Sequence, residues 1–221
     1  MSTLLLRFAA PLQSWGTESK YDIRKTGREP SKSGVVGFLA AALGRRRDAD
    51  LSDLNALTIG VRADREGQPL VDFHMARAEK SSYVTYRHYL SDAVFLVAVS
   101  SNDEALMIAL NEAVLHPAFP LFLGRRSCPP TLPVSLGLRG ADVREALCQE
   151  PPLVPELKEK GGSVRLVLDC GMDVSRPGRI RDVPLSFSPL RREYTWRSVR
   201  TETIHIGGAL ANEHNAMAEL G

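Results

Sequence analysis

Four short stretches carry residue types that hold phosphates and nucleobases. Leu123-Gly124-Arg125-Arg126-Ser127 joins a glycine to two adjacent guanidinium groups. Successive backbone N–H groups and guanidinium forks suit phosphate. Adjacent arginines cannot both point inward from regular structure, so at least one faces solvent. Ser31-Lys32-Ser33-Gly34 opens a helical pattern. Its exposed N–H groups, two hydroxyls and a lysine suit a phosphate at a helix N-terminus. The plainer reading is an N-cap on a packing helix, with Gly34 and Gly37 allowing close approach. Gln13-Ser14-Trp15-Gly16 sets an indole just after a first apolar strand, where it either stacks a base or fills the core. Tyr83, Tyr86, Arg87, His88 and Tyr89 interleave aromatic rings with a cation, as single-stranded nucleic acid requires. Tyr86 and His88 are also an acid–base pair of the kind a metal-independent ribonuclease needs. The alternative for this segment is a wet hairpin with cross-strand aromatic pairs.

Other chemistries find no support. His74, His116, His205 and His214 lie outside any HExxH or paired-carboxylate spacing, and they read as structural or solvent-facing. Walker A, dinucleotide, GxSxG and kinase signatures are missing. Cys128, Cys148 and Cys170 are isolated and odd in number, so neither a disulfide framework nor a structural zinc site is expected. No metal or cofactor is expected, and a reducing cytoplasm fits best.

Charge is distributed unevenly. The net charge is only +2, yet 22 of the 28 basic residues are arginine. A biased genome explains such a ratio; so does recognition of phosphate and bases, which arginine does better than lysine. Residues 7–47 hold nine basic residues, including Arg24 and Arg28, against Glu18, Asp22 and Glu29. Residues 176–200 hold seven arginines against Asp182 and Glu193. This segregation predicts a basic face for a polyanion.

The elements that position these residues follow from periodicity. Residues 3–10 read as a buried strand ended by Pro11, and 11–30 as a long functional loop. Ser31 or Ser33 caps a helix with Val36, Leu39, Ala40 and Leu43 inward, stopped by Gly44. Residues 58–64 and 70–77 flank Glu66-Gly67 and predict a hairpin, and 78–92 a protruding loop or hairpin. Residues 93–99 form a buried strand. Ser101 and Glu104 have capping-box spacing before a helix with Leu106, Leu110, Ala113 and Val114 inward, closed by Pro117. A short strand follows at 119–123. This is a ferredoxin-like βαββαβ order with an added hairpin, an α+β fold. Residues 133–221 read as a smaller β-rich region packed on the first, broken at Pro151, Pro152 and Pro155. Its strands are expected at 163–170 and on to Tyr194, with turns at Pro177-Gly178 and Pro184.

At 221 residues the chain makes one large domain or two small ones. Its 43% apolar and 24% charged residues are ordinary for a globular protein. The longest apolar run, residues 93–99, is far short of a membrane span, and the opening MSTLLLRFAAP does not read as a secretory signal.

Taken in order, LLLRFAAPLQSWG, PSKSGVVGFLAAALGRRRD, LTIGVRADREGQPLVDFH and FLGRRSCPP resemble the CasD family, the fifth-named Cas subunits of the type I-E CRISPR surveillance complex, Cascade. The match covers at least residues 1–130. The resemblance implies a RAMP-type ferredoxin-like module at 1–132, a thumb near 78–92 and a β-rich region at 133–221. It also implies a non-catalytic role in antiviral defence, capping the 5′ handle of the CRISPR RNA (crRNA). Its neighbours would be the CasC backbone and the large CasA subunit, with target DNA contacted only indirectly. The RNA surface would comprise Gln13, Trp15, Arg24, Arg28, Ser31, Lys32, Ser33, Tyr86, Arg87, Gly124, Arg125, Arg126 and Ser127. The rival is the subtype I-C activity, metal-independent cleavage of the precursor RNA, for which Tyr86 and His88 are the nominees.

Overall fold

The computed structural model describes residues 1–16, 19–20, 23–78, 81–171, 174–188 and 190–208. His214 and residues 79–80 of the expected thumb lie outside them.

The fold is α+β and dominated by sheet. In chain order the strands are β1 (Ser2–Ala9), β2 (Leu12–Gln13), β3 (Ser19–Lys20), β4 (Ile23–Arg24), β5 (Thr58–Arg65), β6 (Gln68–Ala78), β7 (Ser81–Ser91), β8 (Val94–Ser101), β9 (Ser135–Arg139), β10 (Gly162–Asp169), β11 (Gly178–Ser186) and β12 (Glu193–Ile206). The helices are α1 (Lys32–Ala42), α2 (Ser52–Asn55), α3 (Glu104–Leu115), α4 (Val143–Gln149) and α5 (Pro155–Lys160). Seven strands form one sheet in the order β11-β12-β10-β5-β8-β1-β9, and every pairing in it is antiparallel.

Alternation along β1 builds two cores. Leu4, Leu6 and Phe8 point to one face and pack with Val35, Val36 and Leu39 of α1 and with Met107 and Leu110 of α3. Leu5 points to the other and packs with Val143 and Leu147 of α4. Beneath α4, the fully buried Arg62–Asp64 pair is satisfied by backbone. Arg62 donates to the carbonyls of Leu147, Glu150 and Pro151, and Asp64 accepts from Leu153 N–H.

Several expectations change. The strands at 58–65 and 68–78 both form, but not as a hairpin with each other: β5 pairs with β8 and β10, and β6 pairs with β7 along its whole length. The protruding hairpin is therefore β6–β7, and residues 78–92 supply only its second strand. Residues 119–123 are not a strand. Their amides turn elsewhere, Phe119 N–H to Ala41 O and Leu123 N–H to Cys128 O. Asp103, not Ser101, caps α3, accepting from Leu106 N–H. Pro155 begins α5 at its first turn instead of breaking the chain. Pro184 sits within β11 at a register shift, on an edge strand where no ladder bond is lost. The segment after residue 133 packs α4 on the sheet and also extends the sheet at both edges, β9 beside β1 and β10 beside β5. Among the described residues no helix is long and apolar enough to cross a membrane.

Candidate nucleic-acid interface

The long loop after β1 folds back through three short pairings. β2 pairs with Leu90 and Ser91 of β7, and β4 lies parallel to β7 with Arg24 beside Arg87. Residues 124–127 close over the loop. Gly124 has φ +82°, and a Cβ there would lie 1.7 Å from Ser14 O, so only glycine fits.

Between these layers the two adjacent arginines part. The Arg125 guanidinium lies 4.5 Å from the centre of the Tyr89 ring, and its Nη2 donates to Arg24 O at 2.9 Å. Burial pushes the Tyr89 phenol up, but hydrogen bonds from Arg125 and Ser127 outweigh it and leave it below its ordinary value. Arg87, two residues from Tyr89 on the same strand face, is half-buried. Its Nε, like Arg125 Nη1, is buried without a protein partner. Arg24, Arg87 and Arg125 thus gather three cations and unsatisfied donors beside the hairpin, with Asp72, the cross-strand partner of Arg87, 3.1 Å from His74 Nδ1, and this surplus of cations suits an anion.

Arg126 turns the other way, into a cleft of ≈ 990 Å³ along α1. Five arginines line it (Arg45, Arg46, Arg47, Arg126 and Arg192), with Phe119, Phe122, Phe187 and Tyr194 and no carboxylate among the lining residues. Arg45 is held by Asp53, whose carboxyl it keeps below its ordinary value. Arg46, Arg47 and Arg126 are exposed and make no ion pair among the described residues.

The expected site residues divide accordingly. Trp15, Ser31, Ser33, Gly124 and Arg126 all border the cleft. Trp15 nevertheless belongs to the core: it is 1% exposed and stacks on Phe8 at 5.6 Å and 9°. Gln13 is fully buried, donating to Phe8 O and Ala93 O and accepting from the Trp15 indole N–H. Neither presents a face to RNA. The α1 N-terminus is also closed, because the chain's own carboxylate fills it: Asp182 accepts from Lys32 N–H at 2.7 Å. The Lys32 ammonium points inward to Leu57 O and Asp169. Ser31 Oγ caps Gly34 N–H, and a Cβ on Gly34 would meet the Trp15 ring at 2.8 Å, so this glycine serves packing. Arg28 is exposed and paired with Glu66. Ser127 is exposed.

Tyr86 and His88 share a face of β7, and the register sets Val71, Phe73, Met75 and Val84 around them. Tyr86 meets Phe73 edge-on at 6.3 Å. Their immediate neighbours on that face are apolar, Arg77 lies farther along it opposite Ser82, and Arg87 is on the opposite face. Sequence reasoning missed Arg45, Arg46, Arg47, Phe187, Arg192 and Tyr194 as site residues. The run Arg45-Arg46-Arg47 was a usable signal; nothing local ties residues 187–194 to α1.

The family model described as CRISPR-associated protein (Cas_Cas5) matches residues 3–200. The chain belongs to this CRISPR-associated family. Within it, the chain is 38% identical over 176 residues to "CRISPR system Cascade subunit CasD" of Escherichia coli (strain K12), covering 69% of this chain and 78% of that protein. A chain from a structure called "CRISPR RNA-guided surveillance complex" superposes with a TM-score of 0.78 at 33% identity, covering 92% of this chain and 90% of that one. A second, "Crystal structure of Cas protein", gives 0.73 at 41%, covering 94% and 98%.

Proposed function

We infer that this chain is an RNA-binding subunit of a type I-E Cascade complex acting in antiviral defence. In this reading it caps the 5′ handle of the crRNA, contacts the CasC backbone and the large CasA subunit, and meets target DNA only indirectly. Family membership and the similarity to a surveillance-complex chain support the assignment. The observation that carries the RNA reading is the carboxylate-free cleft with five arginines, continuous through residues 124–127 with the Arg24, Arg87 and Arg125 cluster. A kinked single strand needs phosphate contacts and splayed bases against aromatic rings. The cleft offers both.

The order β9-β1-β8-β5, with α1 between β1 and β5 and α3 between β8 and β9, supports a ferredoxin-like module with β6–β7 inserted as the thumb. So read, the module runs past residue 132 through β9. The chain is read as non-catalytic because the residues that the register sets around Tyr86 and His88 are Val71, Phe73, Met75 and Val84, none of which can stabilise a pentavalent phosphate.

Co-expression with the genes encoded beside it, purification and sequencing of bound RNA tests the assignment. RNAs of one length with a common 5′ end are expected; RNA of random sequence and length would overturn it. Purified protein incubated with its repeat RNA, with and without EDTA, should leave the RNA intact. A discrete cut lost in Tyr86→Phe/His88→Ala would establish the ribonuclease instead.

A further inference from the structure

A second cation–aromatic patch lies on the opposite face of the large sheet from the cleft. Register places it. Arg200 pairs with Leu168, which packs in the α4 core. Trp196, four residues from Arg200 along β12, therefore looks out on the α4 side. Arg197 and Asp169 look the other way, toward Lys32 of α1. Helix α4 covers β5, β8 and β1, and leaves the outer end of this face, β11 and β12, open among the described residues.

Trp196 is 53% exposed there. The Arg179 guanidinium sits 5.4 Å from the centre of its ring, and Arg181 is its direct cross-strand partner. Arg179 makes no ion pair among the described residues, and the hydrogen bond of Arg181 goes to a carbonyl, Tyr194 O. Glu202, six residues from Trp196 along the same face of β12, is shared by Arg144 and Arg200. The described patch therefore carries a surplus of positive charge around a half-exposed indole. Arg179 touches the ring without covering it, and about half of the residue's surface stays open for stacking.

We propose that Trp196, Arg179 and Arg181 form a second single-stranded nucleic-acid site, so that one chain can hold two strands on opposite faces of one sheet. The chemistry is a base stacked on the indole and flanking phosphates on the guanidinium groups. RNA and DNA strands share it. A β surface with an exposed aromatic ring and arginines outside any ion pair favours a strand over a globular partner, which would have to supply carboxylates. The proposal does not rest on the crRNA reading of the cleft.

The two tryptophans make the test direct, because Trp15 is buried and Trp196 exposed. The full chain carrying Arg46→Ala/Arg47→Ala/Arg126→Ala, which weakens the cleft, is titrated with 12-nucleotide oligo-U and oligo-dT while tryptophan emission is followed. Saturable quenching by either strand is expected, and the two arms tell RNA from DNA. Trp196→Ala in the same background should weaken binding, read by anisotropy of labelled oligonucleotide, by roughly 5- to 150-fold. Arg179→Glu/Arg181→Glu should abolish quenching with Trp196 in place. Emission unchanged by both oligonucleotides, or affinity unchanged in Trp196→Ala, would overturn the proposal. Quenching by an oligo-glutamate peptide but by neither strand would overturn it in favour of an acidic protein partner. Quenching that survives the three cleft substitutions is assigned to this patch, whereas quenching seen in the unaltered chain and lost with those substitutions would overturn the proposal and leave the cleft reading intact.

Discussion

Arg125 and Arg126 are adjacent in the chain and face opposite ways, one clamped on Tyr89 and Arg24 O, the other open to the cleft. Their substitutions should differ. Arg126, Arg46 and Arg47 are positioned for phosphate without internal duties. Changing all three to Ala in a folded protein should flatten the salt dependence of RNA affinity by about 0.7 in log–log slope for each phosphate that is no longer neutralised. Binding measured across a salt series checks this, and an unchanged slope would remove the cleft from the RNA path. Trp15 makes the opposite case. Its ring is sandwiched against Phe8 and the Gly34 backbone, so Trp15→Ala should cost roughly 3–5 kcal/mol, and Trp15→Phe less. Chemical denaturation measures both, and a Trp15→Ala protein as stable as the original would argue against the core placement.

At the scale of elements, helix α1 owes its placement to residues 150 positions away. Asp182 of β11 accepts from Lys32 N–H, and it also receives the fork of Arg197 at 2.7 Å and 2.9 Å. Burial alone would lower the Arg197 guanidinium; its bonds to Asp182 and the charge of Asp169 outweigh that and hold it above its ordinary value. Removing one partner of such a network leaves a buried charge uncompensated. Asp182→Ala should therefore destabilise the protein by about 3–5 kcal/mol, measured by denaturant melting. The loss should exceed that of Asp182→Asn, which keeps the acceptor for Lys32 N–H.

For the molecule as a whole, both flanks of the β5-β8-β1 strands depend on residues 133–221. β9 covers β1, β10 covers β5, and α4 shields Leu5, Leu96 and Ala98. A fragment of residues 1–132 would expose that second core and two unpaired strand edges. It should melt without cooperativity and bind a hydrophobic dye, whereas the full chain should melt in one transition. A fragment with a sharp transition would mean that the first 132 residues fold alone.

Local order decided what could be read from the sequence. The apolar runs of β1 and β8 and the Ser31 cap and Gly44 stop of α1 are each written in the residue types of one short segment, so periodicity and capping chemistry are enough to locate them. That at least one of Arg125 and Arg126 faces solvent was likewise readable from their adjacency; which one, and that the other lies on Tyr89, was decided by tertiary contacts. Strand partners were not local. β5 and β6 are joined by a turn and still pair elsewhere, because β5 finds buried neighbours on both sides. Lys32 and Trp15 look like ligand residues until the fold supplies Asp169 and Phe8. The cleft itself joins α1, residues 119–126 and residues 187–194, and only tertiary packing brings segments so far apart onto one charged wall.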